Sequence, residues 1–208
     1  MTKVIADITM SLDGFVTGPN AGPKAGLGDD GMALHDWVFK GHEVDEAVLA
    51  NATQRSGAVV MGRNLFDVVD GPDGWSDEVG YGAHNVGRPP FFVVTHKPPA
   101  QVRLSLDFTF VTDGVASACD AARAVCPPDK DVVIMGGGNV IAQAVDQGFV
   151  DDIVLHVSPI VMGAGTPLWA GVARRPLRQT DVVVSPYATH ITYALEGDRA
   201  KSNGSAIS

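Results

Sequence analysis

Continuous apolar, β-branched runs punctuate this chain: Val4–Met10, Ala58–Met61, Phe91–Thr95, Phe108–Val111, Val132–Met135 and Ile153–Val157. Several of them lack polar–apolar alternation, the pattern of strands buried on both faces of a mostly parallel sheet. Two further runs, Val182–Val184 and Ile191–Leu195, follow, and the last alternates as an antiparallel or edge strand does. Helical stripes lie between. Val44, Ala47, Val48 and Ala52 make one; Val115 to Cys126 makes another, ended by Pro127-Pro128; Val140 to Val145 makes a third, stopped at Gly148. A short helix is expected over 63–69. Strand–helix–strand alternation predicts one α/β domain over residues 1–196, with a small polar, disordered tail over 197–208.

Charge narrows the partners. With 15 Lys plus Arg against 24 Asp plus Glu, the net charge of -9 counts against nucleic acid or an anionic membrane, since both need a basic face. No apolar run approaches the ~18–20 residues that span a bilayer. Asp7 interrupts the start before a signal-peptide core can form, so the expected compartment is cytoplasmic. Cys119 and Cys126 fall two helical turns apart, too far to pair, and read as small core hydrophobes. The six histidines form no metal-ligand spacing, so no metal is expected.

Chemistry concentrates at strand ends. Val132-Val133-Ile134-Met135 runs into Gly136-Gly137-Gly138 and then Asn139-Val140-Ile141, a buried strand ending in glycines that open a helix. Glycines there let the backbone approach a ligand, and first-turn amides favour a pyrophosphate. The Rossmann pattern fails, because the third glycine of its motif would fall on Ile141. A second junction, Met61-Gly62-Arg63-Asn64, adds a guanidinium suited to phosphate. A third, Thr95-His96-Lys97, adds a hydroxyl, an imidazole and an ammonium. Three such junctions converge on the usual ligand position of open α/β sheets. The long stretches Gly18–Asp30 and Asp70–Pro90 exceed ordinary connections; the first could cover a site at the sheet end.

These motifs, with Ser11-Leu12-Asp13-Gly14 and Ile160–Trp169, resemble the dihydrofolate reductase-like family from about residue 3 to 196. The closer likeness is to the branch containing the C-terminal reductase domain of bacterial riboflavin biosynthesis. The resemblance implies a three-layer fold, a mostly parallel eight-stranded mixed sheet flanked by about four helices, together with NADPH and often a homodimer. By the same resemblance Gly62, Arg63 and Asn64 receive the adenosine side, with Arg63 near the 2′-phosphate. Thr95, His96 and Lys97 form the second wall of that pocket, Gly136 to Val140 the pyrophosphate turn, and Ala6 and Ile134 the nicotinamide surroundings. Leu65 stands where dihydrofolate reductases usually place Thr.

Hydride transfer to C=N or C=O also needs a proton. The candidates are Asp13, in the branch's substrate motif, and Glu46, in the Asp45-Glu46 pair of the first helix; Trp37 is a candidate pocket wall. The expected function is NADPH-dependent reduction of a small pterin- or aminopyrimidine-type heterocycle. The alternatives are a stand-alone aminopyrimidine reductase of riboflavin biosynthesis and a non-catalytic NADPH-binding module. A homodimer is expected through the apolar loop Val161–Trp169.

Overall fold

Each continuous apolar run becomes a strand of one sheet in the computed structural model, which describes residues 2–83 and 88–196. The chain runs β1 (Val4–Ser11), a 3-10 turn (Gly31–His35), α1 (Asp36–Phe39), α2 (Glu43–Arg55), β2 (Ser56–Gly62) and α3 (Arg63–Val69). It continues through β3 (Phe91–Val94), β4 (Phe108–Val111), α4 (Val115–Val125), β5 (Asp131–Ile134) and α5 (Gly138–Asp146). The strands β6 (Asp152–Ser158), β7 (Leu177–Val184) and β8 (Thr189–Leu195) close it. The expected tail over 197–208 and part of the second long loop, 84–87, lie outside the described residues.

The eight strands stand in the order β4-β3-β2-β5-β1-β6-β8-β7. The first six are parallel and β8 is antiparallel to both β6 and β7. Every residue of β2 and of β5 is buried, which is why their sequences do not alternate. On one face α4 and α5 cover Val4, Ala6, Ala58, Val60, Val132 and Ile134. On the other, Phe66 and Val69 of α3 cover Val59, Met61, Phe91 and Val93. Each such fully buried aliphatic or aromatic side chain contributes roughly 1.5–3 kcal/mol. The three layers follow from two apolar sheet faces that water must not reach.

α4 buries Val115, Ala118, Cys119 and Ala122, an i, i+3, i+4, i+7 stripe, and stops at Val125, two residues before Pro127. Burial pushes the Cys119 thiol up to about 11, as suits a core residue. α2 departs from expectation. Val44, Ala47, Val48 and Ala52 are all half-buried or exposed, and the residue that α2 buries is Asp45. β7 is also longer than its apolar run, because Arg178 to Asp181 extend it along an edge with no covering layer.

One feature of the register positions the site. β1 pairs with β5 only over Val4–Ala6, but with β6 over Ile5–Ser11. From Asp7 onward β1 therefore parts from β5, and the opening lies at the C-terminal ends of the parallel strands. Among the described residues no helix is long and apolar enough to cross a membrane.

Candidate functional site

The glycine junctions meet at this end of the sheet. The Gly62 amide donates to the Gly136 carbonyl at 2.9 Å, and the Met135 amide to Val60 at 3.1 Å. A Cβ on Gly62 would come within 2.9 Å of Val140 Cγ2, so the close approach of β2 to α5 requires glycine. Gly136 has φ +134°, a conformation side chains disfavour, and Leu65 packs against it, 3.1 Å from its Cβ position. The Gly136–Gly137 peptide is cis. α5 begins with no side-chain cap; the Val140 amide donates to the Gly137 carbonyl at 3.0 Å, and no capping side chain takes the amides of Gly138 and Asn139.

Arg63 opens α3 beside this turn. Its Nε donates to Asp67 at 2.6 Å and its Nη1 to the Lys97 carbonyl at 2.6 Å. Thr95 is buried, and its hydroxyl donates to the same carbonyl at 2.9 Å. Junctions two and three are thus tied together through the Arg63 guanidinium. His96, Lys97 and Asn64 are exposed around it, and Asn139 is exposed at the start of α5. Ala6 and Ile134 are register partners beside the opening, but their side chains lie wholly inside the α4–α5 core. Only their backbone reaches the place assigned to a nicotinamide.

Above the opening, two loops form a ribbon. Leu12 donates to Ile160 at 2.8 Å, Val16 to Thr166 at 2.9 Å and Leu168 to Gly14 at 3.0 Å. Asp13 sits at its outer edge, where its carboxylate accepts the amides of Met162 at 3.0 Å and Gly163 at 2.7 Å. The Ser11 hydroxyl first, and the Met162 and Gly163 amides with it, hold this carboxylate down to about 2. A group ionised that far below neutrality holds no proton to give, so the geometry makes Asp13 a latch between loops. Val16 and Leu168 point inward and touch Gly138. Leu168 is buried and Trp169 half-buried, so the loop expected to face a second subunit packs largely against its own core; Val161 stays exposed.

The long loop Gly18–Asp30 closes on itself through Gly18 to Leu27 and Asp29 to Pro19, each 2.8 Å. With the 3-10 turn and the Ile160–Met162 segment it encloses a cleft of about 410 Å³, whose rim carries Asp29 and Asp30.

On the sheet face opposite α4 and α5 lies a set of polar side chains that the sequence reading missed. Asp7 Oδ1 is 3.0 Å from His156 Nε2; His156 Nδ1 is 2.7 Å from His190 Nδ1; His190 Nε2 is 2.8 Å from Asp45 Oδ1. These four residues come from β1, β6, β8 and α2. Burial holds His190 below the usual imidazole range, against the opposing pull of its hydrogen bond to Asp45. Trp37 lies over the chain, its ring 4.3 Å from that of His156 and its Nε1 donating to Thr9 at 3.0 Å. Ser158 anchors the 3-10 turn by donating to the Leu34 carbonyl at 2.5 Å. The structure therefore brings Trp37 into the site but leaves Glu46 outside it, exposed on the solvent side of α2, while its neighbour Asp45 points inward. Two histidines in otherwise apolar strands, and Asp7 inside Val4–Met10, were the legible signal.

Across 94% of this chain and the whole of the other, the structure superposes on a putative riboflavin biosynthesis protein from Shewanella sp. PV-4, with a TM-score of 0.68 and 20% identity. Dihydrofolate reductase from Enterococcus faecalis, complexed with NADP(H), matches 94% of this chain and 97% of its own at a TM-score of 0.55 and 13% identity.

The fold is dihydrofolate reductase-like.

The family model of the RibD C-terminal domain matches residues 127–193, which run from the end of α4 through β8 and include the glycine turn, His156 and His190. The resemblance drawn from the motifs is met on both counts. A curated relative, the uncharacterized protein YyaP of Bacillus subtilis strain 168, is 22% identical over 179 residues, covering 83% of each chain.

Proposed function

We propose that this protein is a reductase that takes NADPH at the Gly62–Gly136 corner and reduces a C=N or C=O bond of a small heterocycle, of pterin or aminopyrimidine type. The observation that carries this reading is the convergence of Gly62, Arg63, Thr95 and the Gly136–Gly138 turn at the C-terminal ends of the neighbouring strands β3, β2 and β5. The residues fit the cofactor. A glycine turn and uncapped α5 amides suit a pyrophosphate, and the Arg63 guanidinium with Lys97 beside it suits a 2′-phosphate. NADPH, when bound, supplies the hydride; the chain supplies orientation and the proton. The match to the RibD C-terminal domain supports the same class of reaction. NADPH is a cytoplasmic cofactor, and the free thiols Cys119 and Cys126 suit a reducing compartment.

The cleft rim favours an unphosphorylated substrate over the phosphoribosyl compound of riboflavin biosynthesis. Asp29 and Asp30 line that cleft and repel a phosphate there. A non-catalytic NADPH-binding module would share the glycine corner, but gives no reason for a buried Asp–His–His–Asp chain at its mouth.

The test is a titration of NADPH and NADH against the wild type and Arg63→Ala. A charge-assisted hydrogen bond is worth about 1.5–3 kcal/mol, so Arg63→Ala is expected to weaken NADPH roughly 10- to 100-fold and to leave NADH nearly unchanged. Equal wild-type affinities for the two cofactors would remove the assignment. NADPH oxidation over pterins, aminopyrimidines and small carbonyls then identifies the substrate class.

A further inference from the structure

We propose that Asp7, His156, His190 and Asp45 form a buried proton wire that carries one proton more than two carboxylates and two neutral imidazoles hold, and that releases it at Asp7 to the atom being reduced. The release rests on the reductase reading; the proton count does not.

The count follows from the contacts. Three hydrogen bonds link the four groups, and each needs one hydrogen. Two ionised carboxylates are acceptors only, so each would fix its histidine with the hydrogen on Nε2. Both Nδ1 atoms would then be bare lone pairs facing one another at 2.7 Å, which is repulsive. A third hydrogen removes the conflict. With it, two arrangements satisfy all three contacts while both imidazoles stay neutral. In one, Asp45 is protonated, His190 carries its hydrogen on Nδ1, His156 carries its own on Nε2 and Asp7 is ionised. In the other, each hydrogen has crossed its own contact to the facing atom, so that Asp7 is protonated and Asp45 ionised. The two differ by three short hops and no movement of heavy atoms. Facing nitrogens at this distance also leave no common point for a metal, and among the described residues no group is placed to hold one.

Burial keeps the proton inside. The side chains of Asp45, His156 and His190 are 0%, 2% and 4% exposed, and only Asp7, at 17%, reaches solvent. Asp7 is also the first β1 residue beyond its pairing with β5, directly after Ala6. The wire's open end is therefore at the mouth of the proposed cofactor site. At its far end, Asp45 Oδ2 has no hydrogen-bond partner among the described residues and lies 3.9 Å from Nδ1 of His42, whose ring is 32% exposed. The other groups facing the wire are His35 of the 3-10 turn, beside His156; Tyr81, beside Asp7; Trp37 and Thr9, which stack on and brace it; and, near His42, Tyr187 with Lys40.

NADPH, when bound, would supply a hydride with its electron pair to the substrate carbon. The π pair of the C=N or C=O moves to the heteroatom, which takes the Asp7 proton and forms the N–H or O–H bond. Asp7 is left ionised and the wire holds two hydrogens over three contacts. One proton from solvent restores the third, and His42 gives the Asp45 end a route for it.

The test uses the full chain labelled with 15N-histidine, first without cofactor. At neutral pH the His156 and His190 Nδ1 signals are expected to share one hydrogen between them. Two bare Nδ1 atoms, or two rings titrating independently near pH 6.5, would overturn the wire whatever the turnover shows. Asp45→Asn is the diagnostic variant. Its amide donates to His190 Nε2, which locks the hydrogen on His190 Nδ1 and leaves Asp7 ionised. The expected result is that lock in the spectrum, a kcat fall of about 100-fold, and an unchanged Kd for NADPH. The pH profile of kcat is expected to lose its alkaline limb, the fall that follows when the wire gives up its extra proton. If Asp45→Asn does not fold, Asp7→Asn at the exposed end takes its place, with the same kcat loss expected. Wild-type kcat and pH profile in a folded variant would overturn the delivery. A wild type with the shared hydrogen but no NADPH oxidation on any substrate would overturn the reductase reading and leave the proton count standing.

Discussion

Asp13 shows how a residue's partners decide its role. A carboxylate in a loop before Gly14 reads from sequence as a proton donor, yet its oxygens are taken by two amides of the facing loop. Asparagine at this position keeps one acceptor oxygen and loses the other. Asp13→Asn is therefore expected to speed amide hydrogen exchange at Met162 and Gly163 by about 10-fold, in line with one charge-assisted bond lost, and to leave α4 and α5 unchanged. Unchanged exchange at both amides would remove the latch. His35 has the opposite character. Its buried Nδ1 has no partner among the described residues, and burial, with the nearby His156 next, pushes the ring down to about 4 from the usual 6.5. The unfolded chain then binds more protons than the native one between those two values. Stability from this group is complete above about pH 6.5 and is lost as pH falls toward about 4. Thermal melts across that window should show Tm falling with pH, and His35→Gln should flatten the slope. A slope identical to wild type would assign the acid sensitivity elsewhere.

Among the elements, the tightest fit is that of β2 against α5. Adding one methyl at Gly62 brings it within 2.9 Å of Val140 and 3.6 Å of the Gly137 amide, so Gly62→Ala must push the glycine turn away. Overpacking of this kind costs about 1–3 kcal/mol, and the same displacement is expected to weaken NADPH at least 10-fold. A melt and a cofactor titration on one variant check both effects. This junction was legible in the sequence, because a local pattern, strand then glycine then helix, carries its own geometry. The wire was not. Its members stand as far apart as Asp7 and His190, and each alone reads as an ordinary polar residue in an apolar strand or helix. α2 misled for a related reason: its apolar stripe predicts a buried Val44–Val48 face, but the helix turns Asp45 inward because His190 waits there to bind it. β7 was read short because an edge strand exposed on both faces needs no apolar pattern, and Arg178 to Asp181 show none.

At the scale of the whole molecule, the sheet ends in that uncovered strand. Leu177, Val182 and Val184 of β7 are exposed, and among the described residues no other strand pairs with its outer edge. Exposed edges with apolar residues are templates for pairing with another chain. We propose that a second copy of this chain fills the edge, which moves the expected homodimer contact from the 161–169 loop to β7. The sequence of β7 is self-complementary for such a dimer. A two-fold axis between Gln179 and Thr180 sets Arg178 opposite Asp181 and Leu177 opposite Val182, so each copy offers the other a charge pair and an apolar pair. The chain mass of 21.7 kDa makes the two states easy to separate by sedimentation. At tens of micromolar the expected species is the dimer. Arg178→Asp places like charges opposite each other and is expected to give the monomer, with the fold and the glycine corner intact. Asp181→Arg should do the same. Combining the two restores opposite charges in reversed order, and the double variant should return to the dimer. Monomeric wild type at that concentration would remove the proposal, and a monomeric double variant would move the contact off this strand.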